Sequence, residues 1–510
     1  MFGPSRPKMI VRRTPWVAVA IPMLALLLSL AQAFGMTATR ASDSQPSPQT
    51  SLQPNIVFVI ADDVSPDDLG IYGNPDIKTP ALGLLAENGL VFDNAYLTIS
   101  SCSPSRCSII TGRYPHNTGA PELHTTLPTD QTTLAELLRD AGYHTILSGK
   151  NHMGKPQTLG FDSVSNGSPS GCEKWVQELR QRPTDKPFFA WFASHDAHHP
   201  WAINDTAPTF DPDTLQLPSV MAEGPKNRSA FAGYAHEVAR CDVYLGHVIA
   251  ELQKQSILEN TYILFCADNG RPFPRCKSYL YDSGIKTPLV IRGPGVATGR
   301  TSSLVSSVDL MPTMLRMAGI SKPRSVQGVD LTSILHDPTS RVRDVAYAER
   351  NWHVFQNHSR AVRFGPWLYV WNAYPNRHGV SGETANYKYP FVKEFWQLAQ
   401  SGKLRPELAA VTFAQQPREQ LFHVTNDPNQ FDNLATQPQY AATLKRARRL
   451  LESWTKETAD CLPDDPTPDR DQLHSSKKAS SKPFRHRELP GQRLRASYMN
   501  RPGPVELNLN

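Results

Sequence analysis

The stretch Ser101-Cys102-Ser103-Pro104-Ser105-Arg106, running on into Cys107-Ser108-Ile109-Ile110-Thr111-Gly112-Arg113, carries residue types that build an anion site around a reactive atom. Pro104 fits the first turn of a helix, where its missing N–H costs nothing, and Ser101 or Ser103 can cap that turn. Cys102 then sits at or just before a helix N-terminus, where backbone N–H groups and the macrodipole favour negative charge. Arg106, one turn on, faces the same side and adds a fixed cation. A lone cysteine in such a turn is ordinarily a half-buried thiol. What argues for more is where the other titratable residues fall.

Asp62, Asp63, Asp268 and Asn269 offer three carboxylates and an amide. Hard oxygen donors in this number suit Ca²⁺, with Mg²⁺ the alternative in a tight, wet site. Clustered carboxylates without a cation repel and shift one another's pKa values. Lys150, His152, His198 and Lys277 supply the opposite sign. Together with Arg106 they make three fixed positive charges and two titratable imidazoles around one anion. His195 and His199, in the same run as His198, are candidates for orienting a neighbour.

The elements that must position these groups follow from the apolar pattern. Residues 55–61, 145–148, 187–194 and 261–266 are short apolar, β-branched runs, read as strands buried on both faces. Helical stretches at 132–141 and 235–254 alternate with them. Alternating β and α units predict an α/β domain with a mostly parallel sheet and helices on both faces. Every one of the four strands ends in polar, titratable residues: Asp62-Asp63, Lys150 to His152, His195 to His199, and Asp268-Asn269. Open α/β sheets bind ligands outside the carboxyl ends of their strands, so the four groups converge on one crevice. From about Val345 the pattern changes. Residues 360–364 and 367–371 alternate around Gly365-Pro366 and read as an antiparallel hairpin, 420–424 adds a strand, and a helix follows at 438–458. The expected division is a signal peptide at 1–33, a linker at 34–53, a catalytic domain at 54–357, a smaller antiparallel α+β domain at 358–464, and a basic, Pro-rich tail at 465–510.

The Cys102-x-Pro104-Ser105-Arg106 core and the Ser108-x-x-Thr111-Gly112-Arg113 run behind it resemble the signature of the type I sulfatases, in which the cysteine is oxidised to formylglycine. The resemblance covers roughly residues 54–460 and implies an alkaline-phosphatase-like fold. It implies that Asp62, Asp63, Asp268, Asn269 and the modified residue 102 hold one Ca²⁺. It also implies that Lys150 and His152, in Gly149-Lys150-Asn151-His152-Met153-Gly154, contact the sulfate with His198 and Lys277. Modified residue 102 would attack sulfur, His198 would protonate the leaving atom, and His152 would help expel sulfate. Within the family, Asp268 to Pro274, the segment from Asp427 to Leu434 and the ending Trp454 to Thr458 look like the heparan N-sulfatase subgroup. The family's substrate-side arginine is replaced by Lys277, and its paired histidines by Asn351-Trp352-His353. Trp352, His353 and the long 372–400 loop are therefore the candidates for reading the sugar. The implied substrate is a glycan bearing N-sulfated glucosamine, with an O-sulfated polysaccharide or aryl sulfate as the alternative. The implied partners are a maturing enzyme for Cys102 and, in one arrangement, a second copy of the chain. A metal-dependent phosphohydrolase of the same superfamily is disfavoured by the Cys-x-Pro-x-Arg core, and an inactive glycan-binding protein by the completeness of the site.

Charge excludes one broad class. The net charge of +6 over 510 residues comes from the ends: residues 1–34 carry +4 and residues 471–510 carry +5. The body between them is mildly acidic, which removes the argument for a nucleic-acid partner. At the N-terminus a basic stretch ending at Arg13, an apolar run from Trp16 to Leu30 and Ala31-Gln32-Ala33 read as a cleaved export signal. That run is short for a membrane anchor, and no other stretch of the sequence is apolar enough to span. Seven cysteines are too sparse for a disulfide scaffold.

Overall fold

The computed structural model describes residues 53–470 and 485–506, so the expected signal peptide and most of the linker lie outside the described residues. Eight strands form the main sheet: β1 (Asn55–Ala61), β2 (Leu90–Tyr96), β3 (His144–Gly149), β4 (Ser163–Ser165), β5 (Phe188–Ala193), β6 (Thr261–Ala267), β7 (Leu289–Arg292) and β8 (Gly299–Ser306). Their order is β4-β3-β5-β1-β6-β7-β2-β8, and β7 alone runs against its neighbours. The apolar runs behave as expected because each strand is covered twice. Val57, Val59, Phe192 and Phe265 pack against Phe231, Tyr234, Val238 and Leu245 of the helix Pro225–Lys254. On the other face Ile56, Phe58, Ile60 and Trp191 meet Ile109 and Ile110 of the helix Cys102–Thr111 and Met311, Met314 and Leu315 of the helix Leu310–Met317. This is the alkaline-phosphatase-like arrangement.

The helix Leu134–Asp140 begins where its sequence says it should. Thr133 accepts the N–H of Glu136 at 3.1 Å, and the Glu136 carboxylate accepts the N–H of Thr133 at 2.9 Å, a capping box. The long helix differs: it starts at Pro225, ten residues before the expected Ala235. Its first N–H groups, of Lys226 and Asn227, donate to the carboxylate of Glu394 at 3.2 and 2.8 Å. The cap thus comes from 168 and 167 residues downstream, where no local pattern reports it.

A second sheet contains β9 (Val345–Arg350), β10 (Ser359–Phe364), β11 (Trp367–Asn372) and β12 (Glu419–His423) in the order β12-β11-β10-β9, all antiparallel. The hairpin turns at Gly365-Pro366, and β9 extends the sheet upstream of residue 358, to the point where the pattern changes. The helix Ala441–Thr458 lays Leu444, Leu450 and Trp454 on Tyr347, Val362 and Tyr369. Residues 485–506 lie against the body of the protein. Arg113 donates to the Met499 carbonyl at 2.9 Å, and Asn117 to that of Ala496 at 2.8 Å. Among the described residues no helix is long and apolar enough to cross a membrane.

A buried charged network ties the second sheet to Asp460 and to the short helix Pro115–Thr118. Arg360 on β10 donates to Asp460 at 2.8 Å and to Asn351 at 2.9 Å; Asn351 donates to Glu349 on β9 at 2.9 Å; and His116 meets Glu349 at 2.6 Å. Burial opposes the Asp460 carboxylate, yet Arg360 holds it well below the usual range. Removing one partner of such a pair strands a buried charge. Arg360→Met is expected to cost about 3–5 kcal/mol in urea unfolding at pH 7, and Arg360→Met/Asp460→Leu to regain most of it. The deficit of the single variant should shrink below pH ~4, where the unfolded-state carboxyl takes up its proton. A single-variant loss under about 1 kcal/mol would show that the pair is solvated rather than buried.

Candidate active site

Cys102 occupies the first position of the helix Cys102–Thr111, all ten residues of which are buried. The expected caps point elsewhere. Ser101 holds the N-cap position, but its hydroxyl bonds His353 Nδ1 at 2.8 Å, and Ser103 Oγ accepts the N–H of His124 at 2.8 Å. Cys102 is 2% exposed, its Sγ 3.8 Å from Asp62 Oδ1 and 3.9 Å from Asp63 Oδ1. Burial pushes its thiol up to about 12, against the pull of Lys150 and Lys277. At neutral pH this is a protonated thiol, a poor nucleophile as it stands.

The carboxylates arrive on adjacent parallel strands. Ala61 and Ala267 are paired in register, so Asp62-Asp63 and Asp268-Asn269 leave β1 and β6 side by side. Asp63 takes a left-handed backbone (φ 59°), which aspartate tolerates, and its N–H donates to Asp268 Oδ1 at 3.2 Å. One ligand atom each from Asp62, Asp63, Cys102 and Asp268 lie within 4.8 Å of one another. Asn269 Nδ2 donates to Asp63 Oδ1 at 2.5 Å, while its Oδ1 is buried without a partner. An orphaned amide oxygen beside three buried carboxylates fits a hard divalent cation.

Three cations close the cluster. Arg106 Nε donates to Asp268 Oδ2 at 2.8 Å, and its Nη1 to the Lys150 carbonyl at 2.9 Å. Lys150 pairs with Asp62, and Lys277 Nζ lies 2.6 and 2.8 Å from the two oxygens of Asp63. Burial works against both ammonium groups, but Asp63 raises Lys277 well above its ordinary pKa, and Asp62 raises Lys150. Gly149 is what lets Lys150 turn in: at φ 95° a Cβ there would lie 1.9 Å from the Ala193 carbonyl. The two lysines expected at a sulfate thus rest on the carboxylates beside it.

Imidazoles rim the crevice. His198 directs Nδ1 at the His199 carbonyl (2.6 Å), and its Nε2 is 4.0 Å from Asp63 Oδ2. Burial, then Lys277 and Lys150, hold it neutral. His152 shares a hydrogen bond with His124 Nδ1 at 2.8 Å, and burial with Lys150 keeps it neutral as well. His353 stands between Ser101 and Glu383, whose Oε1 is 3.9 Å from its Nε2. His124, in a turn, lies outside every motif read above; Glu383 falls within the 372–400 stretch, on the short helix Gly382–Ala385 rather than in a loop, and each reaches the site through a contact that sequence spacing does not announce.

The Sulfatase family profile matches residues 54–171 and 172–320, the segments that carry the whole of this cluster. The chain belongs to the sulfatase family. A second profile, N-sulphoglucosamine sulphohydrolase, C-terminal, matches residues 275–457 of this sulfatase. Human N-sulphoglucosamine sulphohydrolase is 30% identical, over 80% of this chain and 92% of its own. An ulvan-active sulfatase of Formosa agariphila is 27% identical, over 80% of this chain and 76% of its own. A solved structure in complex with its substrate D-glucosamine-2-N,6-O-disulfate shares the fold, with a TM-score of 0.62 at 20% identity, covering 79% of this chain and 98% of that one. The enzyme is a hydrolase of sulfate esters or sulfamates.

Not every expected residue faces the crevice of this sulfatase. Trp352 is buried; its indole N–H donates to the Pro468 carbonyl at 2.8 Å, and the Arg470 guanidinium covers its ring at 5.2 Å. It anchors the segment from which His353 projects. His195 bonds Asn166 at 3.1 Å, and the His199 ring packs 4.3 Å from that of Tyr389. Asp196 between them is taken by Arg240 and Ser170. Asp268→Ala should reduce bound divalent cation, measured by plasma mass spectrometry, from one per chain to background. It should also destabilise the fold by about 3–5 kcal/mol, since Arg106 loses its buried partner. Asp268→Asn preserves shape should the alanine variant fail to fold, and wild-type metal content in both would contradict the assignment.

Proposed function

We propose that this sulfatase removes the sulfo group from N-sulfated glucosamine at the non-reducing end of a glycan, with formylglycine made from Cys102 and one Ca²⁺ held by Asp62, Asp63, residue 102, Asp268 and Asn269. The observation that carries the substrate is that Lys277, His353 and Glu383, the side chains on the substrate side of the cluster, all fall within the segment matching the N-sulphoglucosamine sulphohydrolase C-terminal profile. The Cys102-x-Pro104-Ser105-Arg106 core at the start of the helix Cys102–Thr111, set against Asp62 and Asp63, supports conversion.

The overall reaction adds water across the S–N bond: the amine nitrogen gains a proton and sulfate leaves. Formylglycine supplies an oxygen nucleophile with a second hydroxyl for turnover, and the cation neutralises the carboxylates and lowers the pKa of that oxygen. Arg106, Lys150 and Lys277 hold the oxygens of the sulfo group, where negative charge builds up. His198 keeps Nδ1–H on the His199 carbonyl, so its Nε2 is the atom that would take up a proton once the sulfo group's charge offsets Lys277 and Lys150, which hold the free ring neutral, and pass it to the leaving nitrogen. His152, backed by His124, receives the proton released with sulfate. The basic, apolar N-terminal segment supports export, where polymeric substrates are met. An O-sulfated polysaccharide is the second reading, favoured by the 27% identity to an ulvan-active sulfatase.

Two outcomes follow. In active protein the peptide ending at Arg106 should carry an aldehyde at residue 102 by mass spectrometry, and sulfate should be released from N-sulfated glucosamine saccharides faster than from O-sulfated ones. Only unmodified cysteine in active enzyme would end the mechanism; release confined to O-sulfated sugars would leave the chemistry and replace the substrate. Separately, His198→Ala is expected to lower kcat about a hundredfold or more, with its melting temperature unchanged, the scale of a lost general acid. A large stability loss with a modest rate loss would make His198 structural.

A further inference from the structure

A cleft of about 400 Å³ is lined by residues that follow His353 and Glu383 closely in the chain. Two segments leave the site together. One runs from His353 through Phe355 to Gln356 and Asn357; the other runs from Glu383 through Ala385 to Tyr387. They meet at Gly382, where a Cβ would lie 3.6 Å from the His353 ring. Two extended residues reach at most about 7 Å, so the cleft begins within one sugar ring or so of His353.

Its chemistry is specific. Tyr387, 36% exposed, presents its ring next to that of Trp396, 5.5 Å away and tilted by 38°. Trp396 is fixed by its N–H on the Thr384 carbonyl (2.6 Å) and by Phe413 at 4.5 Å. Around these rings stand the amides of Gln356, Asn357 and Asn376. The one guanidinium, of Arg377, is engaged by Gln356 at 2.6 Å and by the Asp469 carboxylate. The cleft is therefore aromatic and polar but locally charge-neutral. That combination does not suit a second sulfate. It suits a pyranose ring, whose C–H face lies on aromatic carbon while its hydroxyls meet amides.

We infer that the Tyr387–Trp396 cleft is a subsite for another sugar of the glycan, one or two residues toward the reducing end from the sulfated ring. This rests on the sulfated-glycan reading above. It assigns a role in holding the chain, distinct from the chemistry at Cys102, to the 372–400 stretch, which is not the long loop expected but carries the helices Gly382–Ala385 and Pro390–Gln400.

The test compares wild type, Tyr387→Ala and Tyr387→Phe on heparan, ulvan and carrageenan tetrasaccharides and on the corresponding sulfated monosaccharides. For the tetrasaccharide that is hydrolysed, the ratio of its kcat/KM to that of its monosaccharide should fall about tenfold in Tyr387→Ala, mostly through KM, and be restored in Tyr387→Phe. An unchanged ratio in Tyr387→Ala would overturn the subsite. Binding is read independently by tryptophan fluorescence with the same tetrasaccharides, chemically desulfated. At least one should bind wild type about tenfold more tightly than Tyr387→Ala. Sulfate release from none of the sugars would remove the glycan reading, and the binding arm then decides the cleft alone. No binding, or equal binding to both proteins, would overturn it.

Discussion

Three buried carboxylates balanced by three cations, two of them buried, govern this structure. Asp62, Asp63 and Asp268 are fully buried, as is Arg106, with Lys150 and Lys277 resting on the same oxygens. Taking so many charges out of water is costly, and only close pairing offsets the penalty. The pairing in turn needs β1 and β6 in exact register, the left-handed turn at Asp63, and Gly149 beside Ala193. The ledger closes before any substrate arrives. An incoming sulfo group adds at least one further negative charge, and in the proposed mechanism a divalent cation would offset the carboxylates and leave the lysines free to meet it.

The substrate side is built by different means. His353 comes from a loop and Glu383 from the one-turn helix Gly382–Ala385, and such segments hold a geometry only when something over-determines them. Here Trp352 is clamped by Pro468 and Arg470, and the Glu349–Asn351–Arg360–Asp460 network fixes the strand ends on either side. The nucleophile helix takes part too, since Ser101 forgoes its capping bond to hold His353. A rigid charged centre and a tailored loop rim are the two halves of the site. Variation in the second can change the sugar without disturbing the chemistry.

Much of the rigid half could be read from sequence because its determinants are local. A β-branched run ending in Asp-Asp, or in Asp-Asn-Gly, states both the strand and where its ligands point. The capping box at Thr133 is local as well, and that helix begins where expected. What escaped is long-range. Glu394 caps a helix from 168 residues away, and Pro468 covers Trp352 from 116. Trp352 is a candidate for reading the sugar because its segment departs from the family's paired histidines, and only the fold reveals that Pro468 and Arg470 cover it. His124 and Glu383 sit in no periodic pattern, so the site is larger than its motifs. The lysines reach the expected crevice and pair there with Asp62 and Asp63, a detail that was not legible because spacing reports which residues converge and not which oppositely charged neighbour each will choose.

With the carboxylates already paired to Arg106, Lys150 and Lys277, the proposed site takes sulfate only once a divalent cation alters the charge balance. Calorimetric titration of inorganic sulfate into the protein, calcium-loaded and again after chelation, tests this directly. The expected result is binding to the loaded protein and its loss, by about tenfold or more, on chelation. Equal sulfate affinity in the two states would mean that Arg106, Lys150 and Lys277 hold the anion unaided, and would contradict it.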